Sequence, residues 1–391
     1  MLNNIKEFFY RLSNAPAAIK PGVYFNQPGL DPTFPYRLHL RVEENGNGIL
    51  ILNAATVIHL NHTACEYAYH LIQNTSFEEV SRDIARRYQI HPTQIKQDFS
   101  AFKEKLMALL ASPDLDPVTV LGIDRDEVGS AHLSAPLRLD CALTYRTPEE
   151  QFAASVPLER VRGELLQNEW QQILDKAWNA GIPHVVFTGG EPTLRPDLPD
   201  LIAYAEKLGL VTGLLTNGLR FSEPEYRRQI MQAGLDHIMV VYDPNSEQAA
   251  EALRDLLNDD IFVTVHLTIT EENAAQISSI LQHLSAMGVQ SVSLSIAAAE
   301  LKPSLAQARD TAAFAGMALQ WDLPVPYSRM NPVRLELEEV NPVPDGAGST
   351  WLYVEPDGDV LPAQGIQELL GNLATDPWDK IWAAADKLIN A

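Results

Sequence analysis

The stretch richest in chemical possibility is Val185-Val186-Phe187-Thr188-Gly189-Gly190-Glu191-Pro192-Thr193-Leu194-Arg195-Pro196-Asp197-Leu198. An apolar run ends in two glycines, and a helix is predicted soon after. Paired glycines at the carboxyl end of a strand let a ligand approach the backbone, and Glu191 adds a carboxylate there. Read alone, the glycine pair fits an ordinary tight turn equally well. Thr216-Asn217-Gly218 closes the next apolar run, and Leu143-Thr144-Tyr145-Arg146 closes the preceding one. There are 2 cysteines, Cys65 and Cys141. That number excludes a disulfide framework and any Cys-only zinc or iron–sulfur site built by this chain alone. Cys65 falls in a predicted helix and Cys141 inside a predicted strand, so both read as buried apolar residues. His59 and His62 have no neighbouring carboxylate or thiol to complete a metal site. Glu149 and Glu150 read as a solvated loop, and Asp357-Gly358-Asp359 as a hairpin turn rather than a calcium loop. Trp351, Trp378 and Trp382 read as core residues. The sequence contains no P-loop, GxSxG or HExxH, so phosphoryl transfer and hydrolysis have no foothold.

The elements that position these residues alternate from Leu137 onward. Strands are predicted at Leu137–Tyr145, His184–Thr188, Val211–Thr216, His237–Tyr242, Phe262–Thr268 and Ser291–Ile296. The helices between and after them are Leu158–Ala180, Leu198–Leu208, Pro224–Ala233, Glu247–Asn258, Asn273–Met287 and Ser304–Trp321. Six βα units imply a parallel sheet with right-handed crossovers, too few for a closed eight-stranded barrel. The tail adds a hairpin, Thr350–Pro362, and a helix, Pro377–Ala391.

The front of the chain is built differently. Met1–Lys20 reads as a short amphipathic helix carrying Phe8, Phe9 and Tyr10; Lys6, Glu7 and Arg11 interrupt any signal-peptide core. Residues 15–35 are rich in Pro and Gly and read as irregular. Arg37–Glu43, the turn Asn45-Gly46-Asn47-Gly48, Ile49–Asn53 and Thr56–Asn61 predict three strands. Three helices follow. Asn61 or Thr63 can cap the first, through about Gln73; Ser76 and Glu79 form a capping box for the second. The third, Pro92–Ala111, sets Ile95, Phe99, Phe102, Leu106 and Leu109 on one face. The expected fold class is α/β: an open partial (βα)6 barrel behind an N-terminal α+β winged-helix-like domain. The expected division is 1–35 lead-in, 36–112 winged-helix-like domain, 113–136 linker, 137–340 partial barrel and 341–391 C-terminal region.

Charge agrees with two modules. The 391 residues carry 29 Lys+Arg against 51 Asp+Glu, a net charge of −22. Residues 36–112 hold eight of each sign, whereas residues 113–391 hold 18 basic and 41 acidic groups. Such acidity argues against nucleic acid or an anionic membrane as the partner. No apolar run is long enough to span a bilayer, and a cytoplasmic location is the expectation.

The Gly189-Gly190-Glu191-Pro192 string, with Thr216-Asn217-Gly218 and Leu143–Arg146 at the ends of the flanking strands, resembles the radical SAM superfamily. Tyr353-Val354-Glu355-Pro356-Asp357-Gly358-Asp359-Val360-Leu361-Pro362 resembles the hairpin of that superfamily's SPASM or twitch subgroup. Residues 36–112 resemble, in element order, the RiPP recognition element, a peptide-binding domain. The resemblance implies a radical SAM-type partial barrel over residues 137–340 with a twitch/SPASM-like region over 341–391. It further implies S-adenosylmethionine contacts at Gly189, Gly190, Glu191, Pro192, Thr216 and Asn217, and a peptide bound along Thr56, Val57, Ile58, His59 and Leu60. It implies a [4Fe–4S] cluster on CxxxCxxC after the first strand, where this sequence has Thr147, Gln151 and Ala154, and no cysteine follows Pro362. Without thiolates the chain is expected to hold no self-ligated cluster and to bind S-adenosylmethionine weakly or not at all. The expected function is a peptide-binding or scaffold subunit in RiPP-type peptide modification, a pseudoenzyme that binds a precursor or leader peptide beside an active radical SAM paralogue. The alternative is an S-adenosylmethionine-dependent enzyme with non-radical chemistry or a partner-completed iron–sulfur site.

Overall fold

The computed structural model describes residues 19–26, 37–52, 56–88, 90–111, 133–148, 161, 163–320 and 346–389. The Phe8–Tyr10 segment, most of the expected linker, and Glu149, Glu150, Gln151 and Ala154 lie outside them. The chain divides into two compact units, Met1–Ser134 and Ala135–Ala391.

The first unit is a four-stranded antiparallel sheet in the order β1 (Gly22–Phe25), β2 (Leu38–Val42), β3 (Gly48–Leu52), β4 (Thr56–Leu60). Three helices follow: α1 (His62–Ile72), α2 (Phe77–Tyr88) and α3 (Pro92–Ala111). Asn61 caps α1 by accepting from the Ala64 amide at 3.0 Å. The Ser76 hydroxyl donates to Glu79 at 3.0 Å and starts α2. Leu40, Leu50, Ile58, Ile84, Ile95 and Leu106 share one buried core, so the apolar faces of sheet and helices close on each other. β1 corrects the expectation of an irregular stretch at 15–35. Gly22–Phe25 pairs with His39–Val42, and Tyr24 meets Tyr69 edge to face at 4.9 Å. Flanking prolines hide so short a strand, which exists because β2 offers it a ladder.

The second unit carries a ten-stranded sheet. Its parallel set is β5 (Arg138–Thr144), β6 (His184–Gly189), β7 (Val211–Thr216), β8 (His237–Val241), β9 (Phe262–Ile269), β10 (Ser291–Ile296) and β11 (Ala318–Gln320), each beside the next. Helices α4 (Gln167–Ala180), α5 (Leu198–Leu208), α6 (Pro224–Gln232), α7 (Glu247–Leu256), α8 (Ile277–Ala286) and α9 (Lys302–Phe314) fill the crossovers. On the other side of β5 lie β12 (Trp351–Val354), parallel to it, then β13 (Asp359–Leu361) and β14 (Gly371–Asn372), before α10 (Trp378–Ile389). β11 and β14 stand at opposite ends of this order, so the sheet is open among the described residues.

Three expectations change. The helix expected from Leu158 begins at Gln167, where the Leu166 amide donates to Glu169 at 2.7 Å. The helix expected to reach Trp321 ends at Phe314; Gly316 then turns left-handed (φ 73°) and Ala318–Gln320 becomes a seventh parallel strand on β10. The hairpin of the region set off at 341–391 joins the main sheet through the pairing of β12 with β5. Trp351 is buried under an Arg138 guanidinium 5.1 Å from its ring, while Trp378 and Trp382 stack at 5.9 Å and pack partly buried against the core.

Candidate functional site

The ends of β5, β6 and β7 converge on Glu191. Burial leaves this carboxylate 3% exposed, and four donors satisfy it. Oε1 accepts from the Thr193 amide (3.0 Å), the Thr193 hydroxyl (2.6 Å) and the Thr216 hydroxyl (2.7 Å); Oε2 accepts from the Asn217 amide (2.8 Å). Glu191 therefore ties the turn after β6 to the end of β7. Burial raises its carboxyl above the usual range, and the four donors oppose that rise without cancelling it. Pro192 opens the 3-10 turn Pro192–Leu194, with Glu191 as its cap.

The glycine pair lets two strand ends meet closely. A Cβ on Gly189 would stand 2.1 Å from the Thr144 carbonyl oxygen, and one on Gly190 2.3 Å from that of Arg146. The space that the missing Cβ atoms leave is taken by the loop after β5. Gly190 and Glu191 donate their amides to the Thr144 and Arg146 carbonyls, each at 2.8 Å. Gly189 also needs its positive φ of 124°.

Arg195, quoted in the motif but given no role by the sequence, completes this clamp. Its buried guanidinium donates to the carbonyls of Leu143 and Leu165 at 3.0 Å and grips Asp197 through two bonds, of 2.9 and 2.6 Å. The Arg-x-Asp spacing was the available signal. The loop after β5 is held from other sides too. Thr144 bonds Glu164, and the Tyr145 hydroxyl donates to the buried Glu355 at 2.9 Å. Glu355 brings a third carboxylate to the hairpin turn, within 4.8 Å of Asp357 and Asp359. The Asn372 amide already donates to Asp359 at 2.8 Å.

Thr147 is described and half-buried, directly after this anchored loop. Cys141 lies six residues before it inside β5, fully buried among apolar side chains, and burial drives its thiol well above the ordinary range. Cys65 belongs to the other unit, where burial raises its thiol to about 12. A thiol so raised is not the reactive thiolate form.

The sheet face that carries Val186, Leu215 and Met239 as a small cluster also carries Thr188, two residues beyond Val186. Its hydroxyl is buried and has no partner. On the same face of β9 and β10, His266 bonds the hydroxyls of Ser293 (3.0 Å) and Ser295 (2.9 Å), and burial lowers it to about 3. Nearer the amino ends of the strands, His184 and His237 face each other at 2.8 Å between ring Nε2 atoms, both lowered chiefly by burial, His237 to about 4.

In the first unit, β4 pairs with β3 on one side, and among the described residues no strand pairs with its other side. Ile58 and Leu60 point into the core. Val57 is 38% exposed and His59 half-buried, and the Thr56 side chain lies outside the described residues.

Comparison with known proteins follows the same lines. The radical SAM superfamily profile matches residues 151–243. A protein from Streptomyces rochei named "PqqA peptide cyclase" is 30% identical over 286 residues, covering 65% of this chain and 77% of that protein. A protein of the same name from Gluconobacter oxydans (strain 621H) is 28% identical over 260 residues, covering 60% and 72%. Among solved structures, Streptococcus suis SuiB bound to precursor peptide SuiA aligns with a TM-score of 0.56 at 15% identity, over 93% of this chain and 88% of that one. SuiB bound to S-adenosylmethionine aligns at 0.55 and 16%, over 88% and 86%. The clamped strand ends, the open sheet of parallel strands and a relative at this identity over most of its length agree: this chain belongs to the radical SAM superfamily.

Proposed function

We propose that this chain is a cluster-less member of its superfamily, a cytoplasmic peptide-binding or scaffold subunit in RiPP-type peptide modification. It would hold a precursor or leader peptide on residues 36–112 and work beside an active radical SAM paralogue. The observation that carries the reading is a mismatch. The strand ends around Glu191 are fully built, yet the three positions that should carry thiolates are Thr147, Gln151 and Ala154. A [4Fe–4S] cluster requires thiolate ligands. The donor set does not fit it. The peptide part rests on the relatives: the curated ones are named for cyclising a peptide, and SuiB was solved with its precursor. The side of β4 on which no described strand pairs offers a ladder for an extended chain. The finer division into recognition element, partial barrel and twitch/SPASM-like region belongs to this proposal. So does the assignment of 113–136 as a linker.

Anaerobic purification and reconstitution with iron and sulfide tests the reading. The expected product is colourless. Near-stoichiometric iron and sulfide, with a broad visible band that bleaches on reduction, would refute it.

The second reading keeps an enzyme: S-adenosylmethionine bound for non-radical chemistry, or a cluster completed by a partner. The buried, unpartnered Thr188 hydroxyl favours it, because such a group calls for an acceptor or donor from a ligand. Calorimetry separates the two. The first reading expects weak or absent S-adenosylmethionine binding; tight binding lost in Thr188→Val would establish the second.

A further inference from the structure

A cavity of about 420 Å³ opens in the first unit, at the end of the sheet where β1 and β3 begin and β2 and β4 finish. Its walls include Lys20, Glu43 and Glu44 of the β2–β3 turn, Glu66 of α1, and Arg87 and Tyr88 at the end of α2. Glu66 is 4% exposed. Its Oε1 accepts from the Tyr88 hydroxyl at 2.8 Å and pairs with the Arg87 guanidinium. Its Oε2 is buried and has no partner. Both donors are thus spent on one oxygen of this cavity-lining residue, and the buried other keeps its lone pairs unanswered.

The chemistry of the missing partner follows. An ionised carboxylate accepts and cannot donate, so the ligand must bring an N–H or O–H. The walls carry two cations, Lys20 and Arg87, against three carboxylates, Glu43, Glu44 and Glu66. Glu43 is answered by Arg41 at 3.0 Å, and Glu44 stands exposed at the rim. A cationic donor satisfies Oε2 with a stronger, charge-assisted bond than a neutral one would make.

We propose that this cavity receives the ammonium or guanidinium group of a lysine or arginine side chain of a precursor peptide, with Glu66 Oε2 as its acceptor. The assignment to a peptide rests on the function proposed above. A chain laid antiparallel on the side of β4 away from β3 runs in the direction of β3, so its amino end lies at the end of the sheet where the cavity opens. The basic residue would stand at, or just before, the start of the paired stretch.

The test uses the full chain. Saturation-transfer NMR with Nα-acetyl-arginine methylamide and Nα-acetyl-lysine methylamide as probes, and the norleucine analogue as neutral control, should show binding of the two cations alone. Glu66→Gln should weaken them by about fivefold or more. His62 lies exposed on the cavity wall, so His62→Trp obstructs the cavity without touching Glu66 and should abolish the signal even where Glu66→Gln fails to fold. Equal binding of norleucine, no binding of either cation at tens of millimolar, or cation binding that survives both variants would overturn the proposal. Cation binding as expected, with no precursor peptide bound at β4, would keep the cation site and remove its assignment to a peptide. A peptide held at β4 with unchanged affinity in both variants would do the reverse.

Discussion

Gly189 and Gly190 are legible in the sequence before their neighbours are. The sequence marks them as a place where something approaches the backbone closely. The structure identifies that something as the carbonyls of Thr144 and Arg146, so the pair is a clamp between strand ends. The consequence is measurable. Gly189→Ala and Gly190→Ala each set a Cβ within 2.3 Å of a backbone oxygen that other hydrogen bonds hold in place. Each should lower stability in urea unfolding by about 3 kcal/mol or more, near the top of the range for single substitutions. Gly163→Ala, where a Cβ meets nothing within 4 Å, should change it by less than about 0.5 kcal/mol. Equal losses at all three positions would contradict the clamp. Glu191 was legible as a carboxylate at a strand end. Its saturation by Thr193, Thr216 and Asn217 was not, because those partners are brought in by β7 and the 3-10 turn.

At the scale of elements, strongly periodic segments were readable and short or sheet-dependent ones were not. α3 carries its apolar stripe within 20 residues of local sequence, and its span is the one expected. β1 and β11, of four and three residues, depend on ladders offered by β2 and β10, and no local pattern announces them. β4 was legible because its alternation survives, with Ile58 and Leu60 inward and Val57 outward. Proline removes one ladder donor, so Val57→Pro and Ile58→Pro together sample both amide directions. With circular dichroism confirming the fold, one of the two should abolish binding of a co-encoded leader peptide to the full chain. Unchanged binding in both folded variants would place the peptide elsewhere.

For the whole molecule, burial of imidazoles sets a pH dependence. His237 and His266 sit at about 4 and about 3 in the folded chain, against 6.5 ordinarily. Between about 4 and 6.5 the unfolded chain therefore binds more protons, and stability falls as pH drops through that window. Each histidine contributes a slope of about 1.4 kcal/mol per pH unit. Urea midpoints at pH 7.5, 6 and 5 should descend accordingly, and His237→Gln should flatten the curve; a slope unchanged in that variant would show that the group does not titrate as its burial dictates. The pairing of β12 with β5 has a consequence in time. β5 is the first strand of its sheet to be made, yet the neighbour that covers its outer side begins at Trp351. At roughly 5–20 residues per second, synthesis of the intervening chain takes on the order of 10–40 s. Through that interval the nascent protein displays a bare apolar strand edge, a template for wrong pairing. A strand made some two hundred residues later is thus the one that ends its exposure to aggregation.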